Sequence, residues 1–186
     1  METYLSEKSG SKVKLVIEND CDAENPREWE NNISTLICFN SRSGYGDNHS
    51  YTNKSYGSVQ EVIKAIKKDL NPVLCYNLYI YKHGSVSLSL NPFNDSFDSW
   101  MVGCVIVEKE KLESYFPQYK KLTKRRIEQI KSIIEMEIDI YTKYLNGDVY
   151  KYAIYDGEEC IETSGNYYDV DECRDYGLMV IKELNL

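Results

Sequence analysis

The sequence predicts an α+β fold: an antiparallel sheet, built from a meander plus a C-terminal hairpin, packed on a long central helix and two or three shorter helices. Three observations lead there. Ile127, Ile130, Ile134, Ile138, Tyr141 and Leu145 recur at gaps of three and four, one face of an α-helix. Several short runs between residues 12 and 108 are apolar or alternate with period two, as strands do. Three capping signals separate these segments.

The long helix comes first because the others are arranged against it. It is expected from Leu122 to Leu145, about 35 Å long at ~1.5 Å per residue. Ile133, Met136, Ile140 and Tyr144 make a second stripe beside the first, and a face that wide needs cover over most of its length. Thr123 is the expected N-cap, and Asn146-Gly147 the expected end.

Elsewhere, residues 1–11 read as polar and loose, and Lys12–Glu18 as a strand. In the acidic stretch that follows, Arg27 stands alone among Glu18, Asp20, Asp22, Glu24, Glu28 and Glu30. Within it Asn25-Pro26-Arg27-Glu28 has the form of a helix start, with Trp29 anchoring the turn to the body. Ser34–Asn40 is a strand. Residues 41–57 lack periodicity and form a long surface loop, mobile or functional. Ser58-Val59-Gln60-Glu61 opens an amphipathic helix carrying Val59, Val62, Ile63, Ile66 and Leu70. Val73–Lys82, Ser85–Leu90 and Met101–Glu108 form the meander, with a turn at His83-Gly84 and a connector bearing Phe93, Phe97 and Trp100. Lys109–Tyr115 is a short helical turn. Asp156-Gly157 joins the C-terminal hairpin. Asp169-Val170-Asp171-Glu172 opens a last helix with Cys173, Tyr176, Val180, Ile181 and Leu184 inward.

A chain of 186 residues, 42% of them hydrophobic, is expected to form a single α+β domain with a real core. No apolar run reaches the ~20 residues that cross a bilayer. Nor does the N-terminus read as a secretory signal, so a cytoplasmic protein is expected. Six cysteines show no Cys-x-x-Cys pair and only His49 and His83 accompany them, so neither a metal nor a cofactor is expected. Cys38, Cys75 and Cys104 fall in strand-like runs and read as small buried hydrophobes. A net charge of −8 argues against a general nucleic-acid coat and for either solubility or a basic partner.

Four constellations can carry chemistry. Asp95 and Asp98 lie beside Phe97 and Trp100, where an apolar wall can raise a carboxyl pKa; in a turn-rich loop such residues usually bond their own backbone. Asp47 and His49 can form a base pair acting on Ser41, Ser43 or Ser50, or His49 is simply solvated. Lys120, Lys121, Lys124, Arg125 and Arg126 cluster where the helix dipole disfavours cations. That points to phosphate contacts on double-stranded DNA, or to pairing with nearby glutamates. The C-terminal carboxylates, Asp156, Glu158 and Glu159 among them, interleave with Tyr152 and other tyrosines and can offer an acidic aromatic surface to an arginine-rich partner, or can be merely solvated.

Several segments together resemble one family. They are Glu24-Asn25-Pro26-Arg27-Glu28-Trp29-Glu30-Asn31, Cys38-Phe39-Asn40-Ser41-Arg42, Gly46-Asp47-Asn48-His49, Leu90-Asn91-Pro92-Phe93 with Asp98-Ser99-Trp100-Met101-Val102-Gly103, and Tyr144-Leu145-Asn146-Gly147-Asp148-Val149-Tyr150. The family comprises small proteins carried by phages and mobile elements of gut bacteria, and it includes a type II-A anti-CRISPR. The resemblance spans residues 12 to 182. Related members read Asp-Ser-Gly-Gln where this chain has Asp98-Ser99-Trp100-Met101. The resemblance implies a stoichiometric inhibitor, not an enzyme, with the Cas9–guide RNA complex as partner. The acidic, aromatic residues Asp95, Asp98, Trp100, Tyr152, Asp156, Glu158 and Glu159 are this sequence's own candidate contacts for it. A phage-encoded DNA-binding accessory protein using Lys120–Arg126 is the alternative. No catalytic residue is carried over.

Overall fold

The computed structural model describes residues 2–8, 11–39, 44–51, 55–119 and 121–184. It is an α+β structure with two antiparallel four-stranded sheets and four α-helices among the described residues. The chain divides into two compact units, one of residues 1–25 with 143–186, the other of residues 26–142.

The first unit holds a sheet in the order β1-β2-β7-β8: β1 (Glu2–Lys8), β2 (Ser11–Asn19), β7 (Tyr150–Asp156) and β8 (Glu159–Tyr167). Residues 2–8, expected to be loose, instead pair with β2 from Glu2↔Ile17 to Lys8↔Ser11. β1 lies at a sheet edge and gives the open side of β2 a backbone partner. The helix α4 (Val170–Glu183) covers this sheet, opened by Asp169, whose side chain accepts from Glu172 N. Its inward face is Cys173, Gly177 and Ile181, with Tyr176 and Leu184 exposed contrary to expectation. Gly177 faces Leu15 closely: a Cβ there would lie 2.7 Å from Leu15 Cδ1, so a larger residue would have to displace the end of that side chain. The core is Val13, Leu15, Ile17, Tyr152, Ile154, Cys173 and Ile181. The β7–β8 turn sits one residue later than expected. Asp156 pairs with Glu159, and Gly157, at φ 62°, takes the first central position, as a type II′ turn requires.

Burial also sets an alkaline limit on this unit. The Tyr152 phenol, 2% exposed, is pushed up from 10 to about 12, chiefly by burial and then by the neighbouring Tyr167 and Glu162. The folded state therefore holds this proton more tightly than the unfolded chain. The stability it represents is whole below pH 10 and falls as pH rises from 10 through about 12. Tyr152 alone is expected to cost about 2–3 kcal/mol across that window. Urea midpoints measured against pH should decline there, and more shallowly for Tyr152→Phe.

The second unit holds a sheet in the order β3-β6-β4-β5: β3 (Thr35–Cys38), β6 (Ser99–Val107), β4 (Leu74–His83) and β5 (Ser85–Ser89). The three strands expected as a meander are antiparallel, but β6 returns past β5 to pair with β4, so β4 lies in the middle, β5 at an edge, and the order is not that of a meander. Gly103 allows β3 to close on β6, since a Cβ there would stand 1.9 Å from Ile37 O. The helix α1 (Val59–Asp69) starts at the Ser58 capping box, Glu61 N donating to Ser58 Oγ and Gly57 N to Glu61 Oε2. It buries Val62, Ile63 and Ile66 on Ile37, Cys104 and Ile106, while Leu70 is left 40% exposed. The short helix α2 (Lys109–Tyr115) follows β6 directly.

The long helix is α3 (Lys124–Asn146). Thr123 caps it, and Gly147, at φ 74°, ends it, with Gly147 N donating back to Tyr144 O and Asp148 N to Lys143 O. Its buried face is Ile130, Ile134, Ile138 and Tyr141, four of the six residues in the first predicted stripe. Strand alternation puts Tyr76, Leu78, Ile80 and Leu88 on the sheet face opposite Cys75 and Ile106; Tyr76 feels Glu128 and Glu135 of α3, and Leu88 faces Ile138. Within this unit α1 and α3 thus cover opposite faces of the sheet. The second predicted stripe is only partly covered: Met136 is 63% exposed, while Ile133, Ile140 and Tyr144 are half-buried.

Candidate functional site

The most constructed polar centre surrounds Arg27, which a 3-10 turn at Pro26–Glu28 carries inward. Arg27 grips Asp47 with two parallel bonds, Nε to Oδ1 and Nη2 to Oδ2, both 2.8 Å. Nη2 also donates to Ser34 O at 2.8 Å, and Nη1 to Asn32 Oδ1 at 3.1 Å and Glu137 Oε2 at 3.4 Å. Glu137 reaches in from α3 and accepts from Ile33 N at 2.6 Å, Ser34 N at 3.3 Å and Ser34 Oγ. Asn32 closes the turn by donating to Pro26 O and Trp29 O. Burial lowers the Arg27 pKa, but the bonds and charges of Asp47 and Glu137 outweigh it and the net shift is upward. Both carboxylates are therefore committed to holding backbone and guanidinium in place. The arrangement ties the 3-10 turn, the start of β3 and α3 together.

Asp47 pairs with Arg27 and not with His49. It also braces the loop against β3, with Asp47 N donating to Leu36 O and Leu36 N to Asp47 Oδ2. His49 is half-buried, its Nε2 at 2.8 Å from Cys38 O and its Nδ1 enclosed without a partner. The proposed base pair is thus not assembled; Ser41 and Ser43 lie outside the described residues and Ser50 is exposed. Residues 44–51, expected in a mobile loop, are pinned along β3 because an edge strand offers backbone groups that need partners. Gly46 N adds a bond to Tyr141 OH of α3.

Among the thiols, Cys38 is pushed up to about 12, mainly by burial, and stays protonated. Cys75 is lowered to about 7, first by a hydrogen bond from Cys104, whose own pKa rises correspondingly. Among the described residues no group of three His, Cys, Asp or Glu side chains is placed to hold a metal ion. No described helix is long and apolar enough to cross a membrane.

The surface candidates are distributed as follows. Asp95 Oδ1 accepts from Phe97 N at 2.8 Å and Asp98 N at 3.3 Å, and Ser99 Oγ donates to Asp95 O. Asp98 Oδ2 lies 2.7 Å from His83 Nδ1, and Asp98 O accepts from Lys82 N at 2.9 Å. Phe93 packs its ring on Tyr81 at 5.7 Å. These bonds shape residues 91–98 into a defined loop that holds Phe97 out at 94% exposure, with Trp100 at 50%. Nothing in the sequence marks Phe97, and not Phe93, as the ring that turns outward.

In the first unit, Asp156, Glu158 and Glu159 are exposed on the β7–β8 turn. Tyr152 is not a contact residue. It is a core side chain, its ring 5.8 Å from Tyr167 and 6.3 Å from Tyr176. It shares strand parity with buried Ile154, so the period-two pattern already assigned it inward.

Lys121, Lys124 and Arg125 are exposed at the start of α3, and Lys120 lies outside the described residues. Arg126 is drawn inward: its guanidinium lies 4.4 Å from the Tyr119 ring centroid and Nη1 donates to Lys121 O at 2.7 Å.

No protein-family model, curated protein or solved structure matches this chain.

Proposed function

We propose that this protein is a stoichiometric inhibitor that works by binding a basic macromolecular partner, and that the partner is the Cas9–guide RNA complex. The observation that carries the binding reading is the loop at 91–98. Its carboxylates are spent on its own shape and on His83, while Phe97 stands 94% exposed at its surface. A large aromatic held in solvent by a pre-shaped loop is an unmade anchor contact, since aromatic side chains at the centre of an interface supply much of its energy. The net charge of −8 adds long-range attraction to a basic protein. The choice of Cas9–guide RNA rests on the family resemblance. Such a complex holds nucleic acid in positively charged channels, which an acidic domain can occupy. Binding then blocks target DNA or the later conformational step that licenses cleavage.

The test is titration of purified Cas9–guide RNA with this protein, followed by target cleavage and size-exclusion chromatography. Loss of cleavage with a one-to-one endpoint and co-elution is the expected result. Full cleavage at excess protein, with no co-elution, sinks the reading. Continued loss of cleavage at catalytic amounts points instead to turnover.

DNA binding is the second reading, favoured by the exposure of Lys121, Lys124 and Arg125. It predicts a gel shift that weakens steeply with salt and disappears on charge reversal of Lys124 and Arg125.

A further inference from the structure

Two thiols meet on the face of the second unit's sheet that α1 covers. Cys75 of β4 stands opposite Ile106, and Cys104 of β6 opposite Asn77, so the cysteines are diagonal neighbours on adjacent strands. Residues two apart on a strand share a face. Cys104 and Ile106 both lie under Ile66 of α1, and Cys75, partly buried, packs against them. Side chains set diagonally on neighbouring strands come within reach of each other, and here the Cys104 S–H donates to the Cys75 sulfur. Burial separates their roles: Cys104 is fully enclosed, whereas Cys75 is half-open to solvent. The ammonium of Lys67, on α1, lies close enough to favour the thiolate at either position. At Cys75 the hydrogen bond and Lys67 together outweigh burial. Cys38 and Tyr51 are the other titratable groups near Cys104, and burial keeps both protonated. Cys38 follows Ile37 on β3 and so turns to the opposite face. Cys21 and Cys160 are exposed in the first unit, where their thiols donate to the carbonyls of Asn19 and Glu162.

We propose that Cys75 and Cys104 form an oxidant-sensitive dithiol, a modification site at which hydrogen peroxide closes a reversible disulfide between β4 and β6. The Cys75 thiolate attacks one peroxide oxygen. An S–O bond forms as the O–O bond breaks, the sulfur gives up two electrons, and the departing hydroxide takes a proton from solvent to become water. The Cys104 sulfur then attacks Cys75 Sγ. The S–S bond forms as the S–O bond breaks, and the Cys104 proton leaves with the hydroxyl as a second water. Two thiols and one peroxide thus give one disulfide and two waters. The order follows from access and charge: Cys75 is the thiol that solvent reaches and that its neighbours ionise, and Cys104 is the thiol in contact with it. Because the pair is diagonal and not directly opposed, the strands must shift slightly to close the bond. A disulfide held under such strain is readily reduced, which makes the reaction reversible. The inference is independent of the loop bearing Phe97 and of any partner.

The test treats the fully reduced chain, dilute and at neutral pH, with hydrogen peroxide. The reaction is stopped with N-ethylmaleimide and mapped by peptide mass spectrometry without reduction. A Cys75–Cys104 disulfide that dithiothreitol removes is the expected first product. Cys75 should be consumed about threefold faster than the more exposed Cys21 and Cys160, its larger thiolate fraction being partly offset by lower nucleophilicity. Cys75→Ser, at a half-exposed position, is expected to leave Cys104 reduced. Cys104→Ala is expected to stop the reaction at the Cys75 sulfenic acid, which dimedone traps. The same variant should move the pH midpoint of Cys75 alkylation by iodoacetamide upward, a change that lost packing alone does not produce. The unaltered chain and Cys75→Ser decide the inference even where Cys104→Ala does not fold. Oxidation of Cys21 or Cys160 ahead of Cys75 overturns it. So does oxidised Cys75 that never links to Cys104, or Cys104 that is still oxidised in Cys75→Ser.

Discussion

Replacing Arg27 by alanine is expected to cost about 3–5 kcal/mol of stability, the range for removing one partner of a buried ion pair. The Arg27 side chain is 2% exposed, Asp47 17% and Glu137 10%, so water cannot replace the lost guanidinium freely. Five donor-acceptor contacts of Arg27 vanish at once, and two carboxylates are left facing each other across the gap. In a chain of this length the melting temperature should fall by ~10 °C. Arg27→Lys keeps the charge but cannot make the two parallel bonds to Asp47, and should lose a substantial part of the same energy. Asp47→Asn should fall between them, because the amide still accepts through one atom. Urea unfolding with an unchanged m-value separates lost stability from a changed unfolded state. If Arg27→Ala costs less than 1 kcal/mol, the cluster does not hold the 3-10 turn and β3 to α3, and the carboxylates must be regarded as available for other work.

The residues of this centre show what was legible in the sequence and what was not. Arg27 is visible in the sequence as a lone cation among six carboxylates, which by itself does not mark it as buried. Its charged partners are 20 and 110 positions away, and neither lies in that acidic stretch. Nothing local in residues 26–30 specifies them. The same distinction runs through the fold. Helix α3, its Thr123 and Gly147 ends, and the boxes at Ser58 and Asp169 follow from periodicity and from hydrogen bonds spanning three or four residues, so they could be read directly. That β2 pairs with β7, Val13 opposite Asp156, is a closure over most of the chain, and two sheets in place of one is a consequence of it. Tyr152 is an intermediate case: its parity with Ile154 points inward, while its position within an acidic, tyrosine-rich stretch points to a surface. Exposure of Phe97 is the reverse case. Phe93, Phe97 and Trp100 are equivalent as letters, and only the bonds of Asp95 and the ring of Tyr81 decide which one turns outward.

Binding to the partner is expected to depend on that outward residue more than on any charge. Phe97→Ala should weaken the complex by about 2 kcal/mol, near thirtyfold, and Phe97→Ala with Trp100→Ala by up to about 4 kcal/mol, near a thousandfold. Neither change should disturb the fold, since Phe97 is 94% and Trp100 50% exposed. The loss should fall mainly on the dissociation rate, because short-range packing holds a complex once formed. Charge should behave differently. Reversing Glu158 and Glu159, exposed on the β7–β8 turn, should lower the association rate and flatten its salt dependence while leaving dissociation nearly unchanged. Asp95→Ala tests the shape of the loop: its carboxylate bonds Phe97 N and Asp98 N, so its removal frees the loop and should weaken binding through Phe97 without removing a contact. Surface plasmon resonance on immobilised Cas9–guide RNA resolves both rates. Should Phe97→Ala bind as the unaltered protein does while reversal at Glu158 and Glu159 abolishes the complex, the working surface belongs to the first unit, and the exposed aromatic needs another explanation.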